Sequence, residues 1–433
     1  MRLFPLAIAL LLIASVGLAA GGALTGAAVD HTAGIDDISS GVSAAAADSA
    51  NTVSTVQSEL SELFSMRALS TDPDAVERVE LDRHHADLGP AINLGTTRDS
   101  ESVTKQAIDR RLGSIESDSE RQRQILGELN TIEQQLVTLE EERSAVIAAY
   151  NDDEIDAHEF LVEIARLQQV ATDLEGRLDV LAMAADDTDG YSISSDRQRE
   201  ISSNLELFTG PVASYATEVL RGEHGSEYFY VETTDSGIVL SAIDGDQHVR
   251  EVLRPDRRDT GAGTIDDPEI AETVVAESYP ELWNRSTSTR VQGEGSIVRV
   301  TVVYDGGELV AFVDGGSEQI FREYRSTALE ATEFSTAVNR TQSGLDVTVE
   351  RTHVGSPFVV TVTEIGDDTP IAGATVTVAQ GEAESEVIGV TDADGVVWGI
   401  EPRGTYTISV IDGTNSAFVE LESDEPAPLA GEE

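Results

Sequence analysis

A few short stretches carry residue types at spacings that could do chemistry. Ser102-Val-Thr-Lys105 sets the chain's only lysine three residues after a serine, where an amine could take the hydroxyl proton and make a nucleophile. The Lys-Thr-Gly element that accompanies such a pair in penicillin-type acyl transfer is ruled out, because there is no second lysine. Asp153-Glu-Ile-Asp-Ala-His-Glu-Phe160 reads like the second half of a calcium loop, with Ile155 in the apolar slot and Glu159 as the last ligand. Its first half fails, since Ala148 and Tyr150 stand where acidic ligands belong and Asp153 replaces the turn glycine. The same residues suit a helix start, with Asp156 as N-cap and Glu159 closing a capping box, and that is the reading adopted. His84-His85 beside Asp82 and Asp87 could ligate a metal, but adjacent side chains do not share one side of a strand or helix, so a solvated loop is expected. Asp392-Ala-Asp394-Gly395 and Asp244-Gly-Asp246 read as Asp-Gly turns ahead of weak calcium sites.

No His-Glu-x-x-His, Gly-x-Ser-x-Gly or Gly-Lys-Ser/Thr phosphate loop occurs. The sequence therefore singles out no catalytic, cofactor-binding or metal residue and calls for no cofactor. Cysteine is absent, which excludes disulfides, thiolate metal sites, a lipoprotein anchor and a cysteine nucleophile. Asp and Glu number 80 against 28 Lys and Arg, a net charge of −52, while 40% of residues are hydrophobic, enough to build cores beneath an acidic surface. Such a surface disfavours nucleic acid as a partner, since phosphate binding needs clustered cations. An acidic surface almost without lysine resembles proteins of halophilic archaea, where carboxylates hold water and salt screens their repulsion.

At 433 residues the chain is long enough for several domains. Arg2 followed by an apolar run over residues 3–20 reads as an export signal within residues 1–28, either cleaved or kept as a membrane anchor. Residues 29–100 are expected to be helical or irregular, with an amphipathic helix carrying Val53, Val56, Leu60 and Leu63 and a Pro-containing connection over 71–100. Residues 101–185 carry two heptad runs, Leu112, Ile115, Leu126, Leu129, Leu136, Leu139, Val146 and then Phe160, Ile164, Leu167, Ala171, Leu174, Leu178, Leu181. The first run is interrupted by Ser119, Gln122, Glu133 and Arg143 in core slots. The expectation is an antiparallel coiled-coil hairpin, which could also support oligomers.

The C-terminal half contains an internal repeat. Asp235, Gly237, Asp244, Gly245 and Arg250-Glu251 match Asp305, Gly307, Asp314, Gly315 and Arg322-Glu323, and each copy reads as a helix followed by a three-stranded meander. Helix plus meander, over 196–258 and better over 266–326, resembles the PepSY family of small exported α+β modules. That resemblance implies regulation of proteases or cell-surface sensing and transfers no catalytic residue. Residues 345–421 alternate apolar and polar positions as a β-sandwich does. Pro370-Ile-Ala-Gly-Ala-Thr-Val-Thr-Val378, Thr391-Asp-Ala-Asp-Gly395 and Pro402-Arg-Gly-Thr-Tyr-Thr-Ile408 are similar to carboxypeptidase regulatory-like, transthyretin-related domains, which implies a spacer or binding module. Residues 422–433 read as a disordered acidic tail.

The fold expected is thus multidomain α+β: a helical region with a coiled-coil hairpin, two small α+β repeats and an all-β sandwich. The function expected is a non-enzymatic exported cell-envelope scaffold or binding module with a protein or glycan partner, the alternative being a regulator of an exported peptidase acting through the repeats. Asn284-Arg285-Ser286 and Asn339-Arg340-Thr341 are glycosylation acceptor sequons that suit an exported chain.

Overall fold

A computed structural model describes residues 67–261, 263–381 and 384–431, the side chains of 97–100 excepted. The expected signal or anchor and the helix over 53–63 lie outside the described residues.

Six strands of the repeat region, 227–233, 238–244, 247–253, 297–304, 307–314 and 320–328, are buried on both faces, and their placement explains why. β1 (Arg78–His84), β2 (Glu227–Thr233), β3 (Ile238–Asp244), β4 (Gln247–Leu253), β5 (Ser286–Gln292), β6 (Ile297–Tyr304), β7 (Gly307–Asp314) and β8 (Ile320–Ala328) form one antiparallel sheet in the order β1-β2-β3-β4-β8-β7-β6-β5. The two expected modules are therefore not separate domains. Their meanders join through β4 and β8, with Arg250 opposite Arg325 and Leu253 opposite Arg322. The aligned Arg-Glu pairs are also not equivalent in space. Ser241 faces Arg250, but Ala311, which the alignment sets against Ser241, faces Glu323. Residues 78–84, expected to be irregular or helical, form the strand that pairs with β2 and covers that edge.

One face of the sheet carries helices α1 (Leu88–Gly113), α2 (Asp118–Asn151), α3 (Ala157–Asp186), α4 (Ser195–Glu206) and α5 (Pro211–Leu220). Their core merges with Phe229, Val231, Leu240, Ala242 and Val249 of the sheet. In place of a two-helix hairpin there are three long helices, because residues 114–117 break the first heptad run. Arg121 fills that break by donating to the carbonyls of Leu112 and Ile115. The buried line on α2 is Ile125, Leu129, Ile132, Leu139 and Ile147, offset from the heptad reading, which placed Leu126, Leu136 and Val146 on the seam. Arg143, a misfit as a core residue, donates to the Leu207 carbonyl at 3.0 Å and stacks on Phe208. The α3 pattern is buried as spaced, from Phe160 through Leu181.

On the opposite face lie α6 (Pro268–Ser278) and α7 (Pro280–Asn284), packed through Ala271, Val275 and Leu282 on β6 and β7. The helices preceding the two meanders thus cover opposite faces of the shared sheet. The rest of this face meets a β-sandwich. One of its sheets is β14 (Val396–Ile400), β11 (Pro357–Glu364), β10 (Leu345–Arg351) and β9 (Thr336–Gln342); the other is β13 (Glu386–Val390), β12 (Thr375–Gln380), β15 (Thr405–Asp412) and β16 (Asn415–Glu422), both in that order. Inward residues such as Val347, Phe358, Val376, Ile408 and Val419 close a core between them. The sandwich begins at β9, earlier than the boundary at 345.

The tail expected to be disordered is ordered through residue 431. Leu429 is buried, Ala427 bridges Arg67 in parallel, Asp424 pairs with Arg351 at 3.0 Å, and Glu425 pairs with Arg403. Acidic composition misled here, because the partners are arginines distant in sequence.

Two outcomes follow for stability. Asp156→Ala removes the cap on α3, whose Oδ1 accepts from the Glu159 N–H at 2.8 Å, and should cost about 1 kcal/mol in denaturant unfolding. Deleting residues 423–433 should raise hydrogen exchange at 67–71 and in the loop 352–356 far more than in α2 or α3.

Candidate functional site

The densest set of ionisable side chains lies where the sheet, the segment 67–71 and the sandwich meet. Strand alternation places His248, Arg250 and Val252 of β4 on one face, beside Glu323, Arg325 and Thr327 of β8. Glu323, fully buried, sits 3.4 Å from Arg250 and 3.3 Å from Arg325, and accepts from the Leu69 N–H at 2.8 Å and the Tyr279 hydroxyl at 2.6 Å. The arginines also grip the backbone of 67–70: Arg325 donates to the Arg67 carbonyl, Arg250 to that of Leu69 and Arg254 to that of Ser70. Two further buried carboxylates extend the seam. Glu232 accepts from Arg403 of the sandwich at 2.9 Å and from the hydroxyls of Thr71 and Tyr230. Glu401 holds Arg351 at 2.5 Å and the Tyr406 hydroxyl at 3.2 Å.

Neutral groups complete the contact. Gly355 presents its carbonyl to the Ser241 hydroxyl at 2.7 Å and to His248 Nε2 at 3.2 Å. His353 Nδ1 lies 2.9 Å from the Val354 carbonyl, and the Ser356 hydroxyl is 3.0 Å from His353 Nε2. This serine–histidine pair has the elements of a nucleophile and base, yet both residues are buried in the seam. Burial and the positive field of Arg250 lower the pKa values of His248 and His353 to about 3, so both rings are neutral at ordinary pH. Burial raises Glu401 to about 7, outweighing its pairing with Arg351.

The opposite faces of β4 and β8 clamp the link between α4 and α5. Arg322 donates to the carbonyls of Leu207 and Thr209, and Glu251 accepts from the Ala213 N–H at 3.0 Å. A Cβ at position 210 would fall 1.4 Å from Glu251 Oε2, so a larger residue there would have to displace the Glu251 carboxylate from its contact with Ala213.

The residues marked in the sequence lie elsewhere. Ser102 is exposed on α1, while Lys105 reaches toward α3, close enough to Gly176 to crowd a Cβ there. Asp156 and Glu159 form the capping box. Asp392 Oδ1 accepts from the N–H groups of Asp394 and Val396, each at 2.9 Å, as a turn does. Gly245 and Asp246 make the two-residue link between β3 and β4. Asn284 and Asn339 are exposed.

His84 departs from expectation: it ends a strand and is buried, and its partner comes from α3. Its Nδ1 is 3.4 Å from His158 Nδ1, His85 stacks on the same ring, and His158 Nε2 is 3.4 Å from Asp87. Burial lowers His84 to about 4. Among the described residues no group of three or more His, Asp or Glu could hold a metal ion.

Comparison with known families fits this division of the chain. The model of a domain of unknown function, DUF7096, matches residues 1–225, more than half of the sequence. The chain belongs to the DUF7096 family. Further along this DUF7096 protein, the model of a second family of unknown function, DUF7094, matches residues 229–333, and that of an archaeal fibronectin-III type-like domain matches 336–419. The β-sandwich is thus matched by the fibronectin-III-like family, not by the carboxypeptidase regulatory-like one. No curated protein and no solved structure matches the chain. The first family boundary falls inside the central sheet, since β1 belongs to the DUF7096 part and its neighbour β2 to the next.

Glu323→Leu should destabilise this DUF7096 protein by about 3–5 kcal/mol in denaturant unfolding, because it strands two buried guanidinium groups and the Leu69 N–H. Stability should also fall on acidification. His84, His248 and His353 have folded pKa values of about 4, 3 and 3 against an ordinary 6.5, so their contribution is complete above pH 6.5 and lost as pH drops toward 3. Each titrating histidine contributes a slope of about 1.4 kcal/mol per pH unit. Glu401 acts the other way, its contribution present below its ordinary value and lost as pH rises through about 7. Urea titrations from pH 4 to 8 should show three histidines outweighing one glutamate, with the steepest loss between pH 6.5 and 4.

Proposed function

We propose that the chain is a non-enzymatic scaffold or binding protein of the cell envelope, exported by a salt-adapted archaeon. The observation that carries this reading is the use to which buried charge is put. Glu232 and Glu323, with their arginines, join one part of the chain to another, and Glu401 anchors the arginine that holds the tail. A charge of −52 with one lysine supports a salt-adapted setting, and an archaeal fibronectin-III type-like domain suits presentation outside the cell. Among the described residues no helix is long and apolar enough to cross a membrane, so any anchor in this proposal is the apolar run at residues 3–20. Exposed Asn284 and Asn339 are the proposed glycan acceptors.

A second reading draws on residues 266–326, where α6 packs on the meander β6-β7-β8 as a PepSY-like module would. In that reading the module regulates an exported peptidase by occluding its active site.

Both are tested by producing the tagged full chain in a halophilic host, separating membrane, envelope and medium, and identifying crosslinked partners by mass spectrometry. Recovery with the envelope or membrane, with glycan or structural protein partners and no peptidase, is the expected result. A cytoplasmic location sinks the first reading, and a co-purifying peptidase inhibited by the full chain replaces it with the second. Asn284→Gln and Asn339→Gln should each remove one glycan's mass from the intact protein.

A further inference from the structure

Between β4, β8 and the loop 352–356 lies a cavity of about 30 Å³, room for one or two particles the size of water. Its wall is unusual for a chain so rich in carboxylates. Arg250, Arg325, Thr332, Thr352, His353 and Ser356 line it, and no Asp or Glu does. Three of these residues carry a buried polar atom with no hydrogen-bond partner among the described residues, Arg250 Nε, Thr332 Oγ1 and Thr352 Oγ1, while Arg325 Nε faces Glu323 Oε1 at 3.3 Å. Both arginine side chains are at least nine-tenths buried, at 4% and 5% exposure. A guanidinium Nε–H can only donate, and leaving it unmatched in a buried site costs more than an ordinary hydrogen bond returns.

Charge decides what would match it. Glu323 is the carboxylate in contact with both arginines, so one negative charge faces two positive ones. The neighbouring histidines, being neutral, add nothing to the excess: His248 Nε2 is turned to the Gly355 carbonyl and His353 Nε2 to the Ser356 hydroxyl. The next carboxylates, Glu232 and Glu401, are engaged with Arg403 and Arg351, which also hold Glu425 and Asp424, neither of which lines the cavity. Water would take the donated proton but leave the two lining arginines sharing one carboxylate; a small monovalent anion takes the proton and gives them a second negative partner. The half-buried Thr332 and Thr352 give a way in.

We propose that this cavity is a binding site for a single halide ion, chloride in the salt the protein works in, held by Arg250 Nε and the hydroxyls of Thr332 and Thr352 beside the Arg325 guanidinium. The ion joins both halves of the central sheet to the 352–356 loop, so docking of the sandwich depends on which anion is present and not only on ionic strength.

The test uses the full chain. Crystals grown in sodium bromide should show an anomalous peak in the cavity within hydrogen-bonding distance of Arg250 Nε. Thermal unfolding at constant ionic strength, with acetate exchanged for chloride, should show a saturable rise in midpoint and matching protection of 352–356 from hydrogen exchange. Thr332→Val with Thr352→Val, which leaves both arginines in place, should weaken the chloride response about tenfold. Should that variant fail to fold, the bromide peak and the acetate exchange on the unaltered protein still decide. No peak in the cavity overturns the proposal, and so does a peak with equal stability in acetate and chloride, which would mark an adventitious ion only.

Discussion

Burying arginine opposite carboxylate on the shared strands β4 and β8 is the constraint from which the rest of the architecture follows. A buried charge is tolerable only when its partner is fixed, and each buried carboxylate of the seam has a partner from another part of the chain. Glu323 requires the segment 67–71 and Tyr279, Glu232 requires Arg403, and Arg351 requires Asp424 of the tail. Hydrophobic burial supplies the drive to collapse, but it is indifferent to register. The charges specify which surface of the sandwich meets which strands of the sheet.

The two faces of β4 and β8 are used alike in principle and differently in partner. One fixes the entering segment and the sandwich; the other fixes the α4–α5 link through Arg322, Glu251 and Gly210. That arrangement explains why the helices before the two meanders lie on opposite faces. Once β4 and β8 pair, each half of the sheet needs cover where the other partners are absent: α5 over β3 and β4, α6 over β6 and β7.

Local patterns were readable from the sequence; joints were not. The α3 heptad, the capping box at Asp156, the Asp-Gly turns and the alternation of β10, β11 and β15 depend on neighbours a few residues away, and each appears in place. The fusion of two meanders into one sheet, the strand at 78–84 and the ordered tail depend on partners far along the chain, which periodicity does not register. In sequence His84 stands beside His85, but its partner in space is His158. The seam did leave a trace. Val249-Arg-Glu-Val-Leu253 and Phe321-Arg-Glu-Tyr-Arg325 place scarce arginines inside apolar strands, and this signals their burial more than it signals a repeat.

The parallel bridge between Arg67 and Ala427 brings the two ends of the described body side by side. Tension carried along the chain would therefore enter and leave at nearly the same point. It would load the short contact around residues 67–71 and 424–430 in shear, while the central sheet and the helices behind it stayed outside the line of force. A body whose ends lie together in this way can keep its shape when either end is pulled.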